Sequence, residues 1–511
     1  MATPLSPQQQ RLPSAFAFAS PRHENPARDM CPKQKKRLLG RESVGEIYKE
    51  LLTVERRRLS TRGPLALPDE VESDRSRVLY SSSFRRLQGK TQVFPLDENA
   101  AVRTRLTHSF EVSHVGRFLA ASVLKIFKER GELDKVGLGP DEAAAFPTIV
   151  ETACLLHDIG NPPFGHFGEQ AISQWFGRNL NDLTAMAGCV FADEHADLKN
   201  DFLNFDGNPQ GFRILSRIAG ADEFGFNLTL TQMAATIKYV CLPSQKDSTT
   251  ALKKKAGVFF SEREALADIQ KRFLLKEGQR FPLAYLMEAA DDISYCLSDI
   301  EDGVEKGIIK FDDFVEKIRE RTSDDKIREF FPKNDGSVSP VERVVGIRSR
   351  VIRHLVGEAA KDYVNSHAQI CAGTRDELIE SSSPCGRLLQ VIKEHVRESV
   401  YSHEVPQQLE LSGLSIIEGL LERFRPLLAL KRENFDALLS GGGRKLKLDR
   451  ELRLLGLVAK RHKEAYRIEV GKGVSDQAEW ALRGHMLVDF ISGMTDHFSL
   501  RLYQKLSGIR L

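Results

Sequence analysis

The sequence contains few cysteines, and their spacing gives no sign of pairing. Its 511 residues include seven cysteines, which is an odd number, and no two of them form a C-x-x-C motif. Disulfide frameworks and cysteine zinc sites use paired, closely spaced cysteines. We therefore expect free thiols in a reducing compartment, the cytoplasm, and no zinc site built from cysteine. The seven are Cys31, Cys154, Cys189, Cys241, Cys296, Cys371 and Cys385.

Long apolar runs are missing as well. No stretch approaches the roughly 18–20 apolar residues that a membrane-spanning helix requires. The apolar stretch at residues 14–20 is too short, and too polar at its flanks, for a secretory signal. The glycines at 441–443 lead into a basic loop but not into a P-loop, because the pattern Gly-x-x-x-x-Gly-Lys-Ser/Thr is absent. We therefore expect no membrane contact and no P-loop chemistry.

The chain also lacks a strong excess of one charge. Its 74 basic and 71 acidic residues give a net charge of +3, so any surface for nucleic acid must be a local patch. Apolar residues make up 41% and charged residues 28% of the chain, which is the composition of a globular protein. The length predicts two to four domains or subdomains.

Helical periodicity dominates from residue 42 onward. Apolar residues at three- and four-residue spacing predict helices over Ser109–Arg130, Pro147–His157 and Phe281–Lys306. The last 200 residues are again mostly helical in pattern, and alternating strand patterns are few, so the fold class is all-α. Residues 1–40, with five early prolines and a basic cluster at Lys33–Arg37, predict a disordered tail. A polyanion-binding arm is the alternative for that cluster.

The pair His157-Asp158 carries the strongest chemical signal. It lies between an apolar helical stretch and a loop containing Gly160, Pro162 and Pro163. An imidazole nitrogen and a carboxylate oxygen in the last turn of a helix can bind one divalent metal ion. A single histidine is more often a hydrogen-bonded structural residue. Here His108, near the start of another helix, and an acidic pair on a later helix supply the further ligands that a catalytic metal needs.

That later helix places three polar side chains on one face. Asp291, Tyr295 and Asp299 are four residues apart, so they share a face that spans about 12 Å along the axis, at the ~1.5 Å rise per residue. Asp292 points roughly 100° away, and we therefore prefer Asp291 to Asp292 as the metal ligand. The flanking positions are apolar, and unengaged carboxylates there would be costly.

The loop after the pair carries a second histidine with a carboxylate partner. His166 and Glu169 are three residues apart, and both can face one point if a helix starts near Gly165. A histidine oriented by a carboxylate is suited to carrying a proton near neutral pH. A loop histidine that caps a helix is the alternative.

At these residues the chain resembles the bacterial deoxyguanosine triphosphate triphosphohydrolases of the HD superfamily, whose metal ligands follow the order His…His-Asp…Asp. The similarity runs from Arg56 to the C-terminus, and its one small departure is Asn-Pro-Gln at 208–210, where relatives commonly have Asn-Ala-Gln. The motifs that carry it are SDRSRVLYSSSFRRLQ (73–88), KTQVFP (90–95), RTRLTH (103–108), HDIGNPPFGHFGE (157–169), NFDGNPQ (204–210), IKY (237–239), ADDISY (290–295) and DFISGMTD (489–496).

The resemblance implies an HD-domain helical bundle and the hydrolysis of dGTP to deoxyguanosine and inorganic triphosphate, by attack of metal-activated water at the α-phosphorus. It implies that 41–310 form the catalytic core and that 311–511 form a helical region completing the pocket and the oligomer contacts. The implied metal is Mg²⁺ or Mn²⁺, with Co²⁺ as a further candidate. The implied metal ligands are His108, His157, Asp158 and Asp291, the catalytic pair is His166 with Glu169, and the substrate contacts are Gln92, Arg105, Lys238, Tyr295 and Asp299.

Two alternatives stay open at this stage. The first is an HD phosphohydrolase that accepts all four dNTPs, because guanine selection rests on few contacts. The second is an HD protein that acts mainly by binding single-stranded nucleic acid, suggested by local basic clusters such as 444–447. The resemblance also implies a homo-oligomer, a hexamer by analogy, and single-stranded DNA as a further partner.

Overall fold

The computed structural model describes residues 45–61, 63, 65–97, 99, 102–220, 222–322, 324–333 and 338–509. The predicted tail at 1–40 lies outside these residues. The predicted boundaries at residues 40 and 310 stay predictions.

The described residues are overwhelmingly helical. The helices are α1 Ile47–Leu51, α2 Leu67–Leu79, α3 Ser82–Arg85, α4 Arg105–Glu129, α5 Leu133–Val136, α6 Pro140–Leu156, α7 Gly165–Met186, α8 Ala196–Leu203, α9 Gly207–Arg213, α10 Leu230–Ala235, α11 Arg263–Phe273, α12 Pro282–Glu305, α13 Phe311–Arg321, α14 Asp325–Phe330, α15 Pro340–Asn365, α16 His367–Ala372, α17 Pro384–Val396, α18 Glu404–Ala429, α19 Arg432–Leu439, α20 Asp449–Leu457, α21 Lys460–Val470, α22 Asp476–Ser492 and α23 Asp496–Leu506.

Strand pairing within the described residues is limited to two isolated bridges, Arg56 with Thr229 and Thr91 with Thr104. This confirms the all-α fold class. None of the helices in the described ranges is long and apolar enough to span a membrane.

The helices predicted from periodicity are present, with shifted ends. The largest shift is at α6, which starts at Pro140 rather than at Pro147 and carries Pro147 inside it. Proline is favourable in the first turn of a helix, where its missing N–H has no helical partner. A proline stands both at position 140 and at position 147, so proline alone does not tell which of the two starts the helix. The start of α4 is earlier than predicted because Thr104 caps it: the Thr104 side chain accepts a hydrogen bond from the Thr107 amide.

Two hydrophobic cores position the site. The first contains buried side chains of α4, α6, α12 and α15, for example Leu119, Ile149 and Leu286. The second contains those of α7, α18 and α22, for example Phe176 and Leu420. The chain passes from the first core to the second between α6 and α7, so the loop that carries the His157-Asp158 motif lies between them.

Candidate active site

Two imidazoles and two carboxylates converge where three helices of the first core meet. His108 lies in the first turn of α4, His157 and Asp158 follow α6 directly, and Asp291 lies within α12. The Nε2 atoms of His108 and His157 are each 3.5 Å from Asp291 Oδ1. His157 Nε2 is also 3.6 Å from Asp158 Oδ2. Side chains separated by up to 183 residues in sequence therefore face one point.

These separations suit a divalent cation. Ligand atoms lie roughly 2.0–2.2 Å from such an ion, so neighbouring ligands are about 3–3.5 Å apart. Donor atoms of His108, His157 and Asp158 all lie within 4.8 Å of one another. Both His108 nitrogens and His157 Nε2 are buried without a hydrogen-bond partner. Buried polar atoms without partners are costly, and a bound cation would give the two Nε2 atoms a ligand role.

Neighbouring groups orient the ligands. The Nδ1 atom of His157 is 2.7 Å from the carbonyl oxygen of Cys154, which favours the tautomer that donates from Nδ1 and directs the Nε2 lone pair at the cluster. Asp158 accepts hydrogen bonds from Asn161 at 2.6 Å and from Arg105 at 2.7 Å. Burial raises the pKa of Asp158, but His157 and Arg105 outweigh it and lower the pKa to about 2. The carboxylate is therefore ionised, as a metal ligand must be.

Asp291 and Asp292 have different surroundings. Asp291 accepts a hydrogen bond from Lys238 Nζ at 3.3 Å through the oxygen that does not face the histidines. Burial works against its charge, but Lys238 and His157 hold the pKa of Asp291 well below its usual value. Asp292 is partly exposed and pairs with Lys393 at 2.9 Å. Asp291, and not Asp292, therefore lies beside the two histidines.

The predicted catalytic pair lies at the start of α7. This helix begins at Gly165, so His166 and Glu169 both lie in its first turns. His166 Nδ1 is 2.7 Å from Glu169 Oε2. The other oxygen of Glu169 accepts the Gly207 amide at 2.8 Å, so the carboxylate is held on both sides. The side chain of His166 is 76% exposed, whereas that of Glu169 is 10% exposed. This arrangement leaves Nε2 of His166 free to reach a ligand.

A cavity of about 830 Å³ joins the metal cluster to His166, a size suited to a small-molecule ligand. Gln92, Arg105, Lys238 and Tyr295 all line it. Gln92 Oε1 is buried without a partner, so it is available to a donor on a ligand. Of the predicted substrate contacts, Asp299 alone is not part of the lining.

Asp299 lies behind the wall of the cavity. The hydroxyl groups of Tyr295 and Tyr401 are 2.5 Å apart, and the Tyr401 hydroxyl donates to Asp299 Oδ2 at 3.2 Å. Burial raises the pKa of Asp299 to about 7. Asp299 therefore contacts the hydroxyl groups of both Tyr401 and Tyr295.

Several lining residues were missed at the sequence level. Tyr401 is the last residue of a π-helical turn at 397–401, and nothing in its local sequence marks it. Lys255 also lines the cavity and pairs with Asp206 at 3.2 Å. Its only signal is a run of three lysines at 253–255, which is usually a solvated surface. Lys393 and Glu410 complete the charged lining.

Comparison with known proteins agrees with this geometry. Residues 105–201, which contain three of the four converging side chains, match the HD domain family. The chain is 37% identical over 485 residues to proteins named deoxyguanosinetriphosphate triphosphohydrolase from Salmonella schwarzengrund and Salmonella typhi, covering 86% of this chain and 93% of each relative. The protein of that name from Salmonella typhimurium LT2 has the same identity and coverage.

Proposed function

The chain belongs to the deoxyguanosinetriphosphate triphosphohydrolase family of HD-domain proteins, and from that premise we propose that it hydrolyses dGTP to deoxyguanosine and inorganic triphosphate. The observation that carries the proposal is the cluster of two imidazoles, whose buried Nε2 atoms have no hydrogen-bond partner, and two ionised carboxylates in the wall of a cavity that Arg105 and Lys238 also line.

We propose His108, His157, Asp158 and Asp291 as the ligands of a divalent metal ion, Mg²⁺ or Mn²⁺ by family likeness, with Co²⁺ as a substitute. Such an ion, when bound, polarises a phosphoryl oxygen and lowers the pKa of a water molecule. Two imidazoles and two carboxylates suit a divalent ion that also takes oxygen ligands.

The triphosphate of the substrate carries nearly four negative charges, so its binding requires cations. Arg105 and Lys238 flank the metal cluster, one hydrogen-bonded to Asp158 and the other to Asp291. The guanidinium supplies a planar fork of donors and the ammonium a point charge. Each is anchored by a carboxylate and keeps further N–H groups for phosphate oxygens.

His166 is proposed as the general acid. In the reaction, the oxygen of water forms a bond to the α-phosphorus and the bond from phosphorus to the 5′ oxygen breaks. The attacking water releases one proton to the solvent, and the departing 5′ oxygen takes one proton from protonated His166, which the solvent then reprotonates. Glu169 orients the ring through its 2.7 Å contact with Nδ1.

Sugar and base selection are assigned to Tyr295 and Gln92, which also line the cavity. Tyr295, fixed by Tyr401, would pack against the sugar and leave little room for a 2′-hydroxyl. Asp299 is hydrogen-bonded to the hydroxyl groups of Tyr401 and Tyr295 and does not line the cavity, and its contact with the 3′-hydroxyl stays a prediction. Gln92 is the proposed contact for guanine. Exclusion combined with unpaired polar groups selects deoxyribose over ribose.

Product analysis tests the proposal. The full chain is incubated with Mn²⁺ or Mg²⁺ and dGTP, and the products are separated by ion-exchange chromatography. We expect deoxyguanosine and triphosphate. Pyrophosphate with dGMP, or no turnover, would contradict it. Parallel assays with dATP, dCTP, dTTP and GTP separate a guanine-selective enzyme from one that accepts all dNTPs.

The homo-oligomer and single-stranded DNA binding stay predictions. Mass photometry would test the first. A gel shift with a single-stranded oligonucleotide at low and high salt would test the second, since phosphate contacts weaken with salt.

A further inference from the structure

Asp496 lies far from the reacting groups in sequence but contacts two segments of the cavity wall. It is the first residue of α23 and is 1% exposed. Its Oδ1 accepts the backbone N–H of Phe164 at 3.1 Å. Its Oδ2 accepts the backbone N–H of Thr91 at 3.0 Å and the Thr91 hydroxyl at 2.9 Å. All three donors are uncharged, and the buried cations Lys90 and Arg105 attract the carboxylate electrostatically.

The first contact fixes the turn that presents His166. Phe164 has φ +63° and Gly165 has φ +55°, a left-handed conformation that a bulky residue rarely adopts. The turn persists because its surroundings hold it. The Phe164 amide is bound by Asp496, and its ring packs against Gly413, where an added Cβ would lie 2.5 Å from Phe164 Cγ. The next residue is His166, so a shift of this turn moves the imidazole directly.

The second contact fixes the segment that presents Gln92 and Arg105. Thr91 forms an isolated bridge with Thr104, and the Arg105 amide donates to the carbonyl of Lys90 at 2.8 Å. The segment on which Asp496 acts therefore also supports the start of α4. Gln92 follows Thr91 and lines the cavity.

We propose that Asp496 is a positioning residue that sets the distance between His166 and the wall carrying Gln92 and Arg105. This inference rests on the proposed function. The two carboxylate oxygens of Asp496 accept hydrogen bonds from three donors, two of Thr91 and one of Phe164. An asparagine amide has only one oxygen acceptor, and its NH₂ group would face one of these donors. Asparagine therefore cannot hold both segments, although its shape is nearly the same.

The test compares Asp496→Asn with Ser499→Ala in the full chain loaded with Mn²⁺. The Ser499 hydroxyl is buried in the same helical turn and donates to the backbone carbonyl of Asp496 at 2.8 Å, so its loss perturbs the helix and not the carboxylate contacts. We expect Asp496→Asn to lower kcat for dGTP about tenfold to a hundredfold, the scale of a displacement near 1 Å. Ser499→Ala should stay within about twofold, and both variants should keep their metal.

A double-mutant cycle with His166→Ala separates positioning from general destabilisation. If Asp496 acts through His166, Asp496→Asn costs much less kcat in the His166→Ala background than in the wild type, because coupled residues are non-additive. The same fold loss in both backgrounds would overturn the inference, and so would a normal kcat in the single variant.

Two further measurements keep the inference testable if Asp496→Asn does not fold. Thr91→Val removes one donor and should raise KM more than it lowers kcat, with Thr91→Ser restoring most of the loss; equal effects of Val and Ser would contradict it. Hydrogen exchange of the wild-type chain needs no turnover: we expect the Phe164 amide to exchange slowly, and fast exchange would refute the contact. A wild-type chain that does not hydrolyse dGTP would instead overturn the proposed function.

Discussion

The metal-facing side of the cavity is carried by helices of one core, whereas the side that presents His166 is carried by a turn at the start of a helix of the other. The side chain of His108 is 1% exposed and that of His157 is 7% exposed, but that of His166 is 76% exposed. A buried ligand cluster keeps its geometry because packed side chains around it leave no room to move. An exposed proton carrier keeps its geometry only if its backbone is held from outside, as the Phe164 amide is by Asp496.

Loss of a ligand from the buried side should have the largest effect. We expect Asp291→Ala to lose bound metal and to lower turnover about a thousandfold or more. The reason is that the ion stabilises the charge of the transition state by several kcal/mol. Asp292→Ala is the matched control, since that carboxylate is partly exposed and pairs with Lys393. Elemental analysis after gel filtration checks both variants. Metal retained in Asp291→Ala and lost in Asp292→Ala would show that the wrong carboxylate was assigned.

Loss of the exposed histidine should leave the buried side intact. We expect His166→Ala to bind metal normally but to lower kcat at least about a hundredfold, the lower range for general acid–base catalysis. Metal content and single-turnover kinetics measure the two properties separately. Near-normal turnover would remove His166 from the mechanism, and loss of metal would show that the two sides of the cavity are not independent.

The same contrast explains what the sequence could predict. The pair His157-Asp158 is predicted from adjacent metal-binding residue types at the end of an apolar helical stretch. The choice of Asp291 over Asp292 comes from helical periodicity, which places side chains on faces over short distances, and stays a prediction. His166 with Glu169 was predicted from its three-residue spacing. By contrast, the contact of Asp496 with Phe164 joins residues 332 positions apart, and no local pattern encodes such a contact.

Asp299 illustrates the same limit inside a helix. Periodicity predicts that it shares a face with Asp291 and Tyr295, but it cannot show that Asp299 is buried outside the cavity lining or that the Tyr401 hydroxyl donates to it. Tyr401 comes from a distant turn, and its hydroxyl meets Tyr295 only in the folded chain. The sequence therefore predicts that Tyr295 lines the cavity, but it does not predict that Asp299 lies outside the lining.

A moderate effect is expected where the contact between Tyr401 and Tyr295 is weakened. Tyr401→Phe removes the hydroxyl that joins Tyr295 to Asp299 and leaves a buried carboxyl with one partner fewer. A buried hydrogen bond contributes about 1 kcal/mol, so we expect the preference for dGTP over GTP, measured as a ratio of kcat/KM, to fall about fivefold. Metal content should not change. An unchanged ratio would mean that Tyr295 needs no support from Tyr401 to exclude the 2′-hydroxyl.

The last prediction concerns the pH dependence of stability. Burial raises the pKa of Asp299 from its usual value of 3.8 to about 7, so the folded chain keeps a proton between these values that the unfolded chain has released. The unfolded state then binds fewer protons, and this group's contribution to stability falls as pH rises from about 4 to about 7. One proton changes the free energy of unfolding by at most about 1.4 kcal/mol per pH unit.

Asp299→Asn removes that titration while keeping the shape of the side chain. We expect the melting temperature of the variant, relative to wild type, to increase between pH 5 and pH 7.5, because only the wild type loses stability through this group. Asp292→Asn removes the same charge from a partly exposed position and serves as the control. A difference between wild type and Asp299→Asn that is flat with pH would show that Asp299 is already ionised in the fold, with Tyr401 and other donors compensating for its burial.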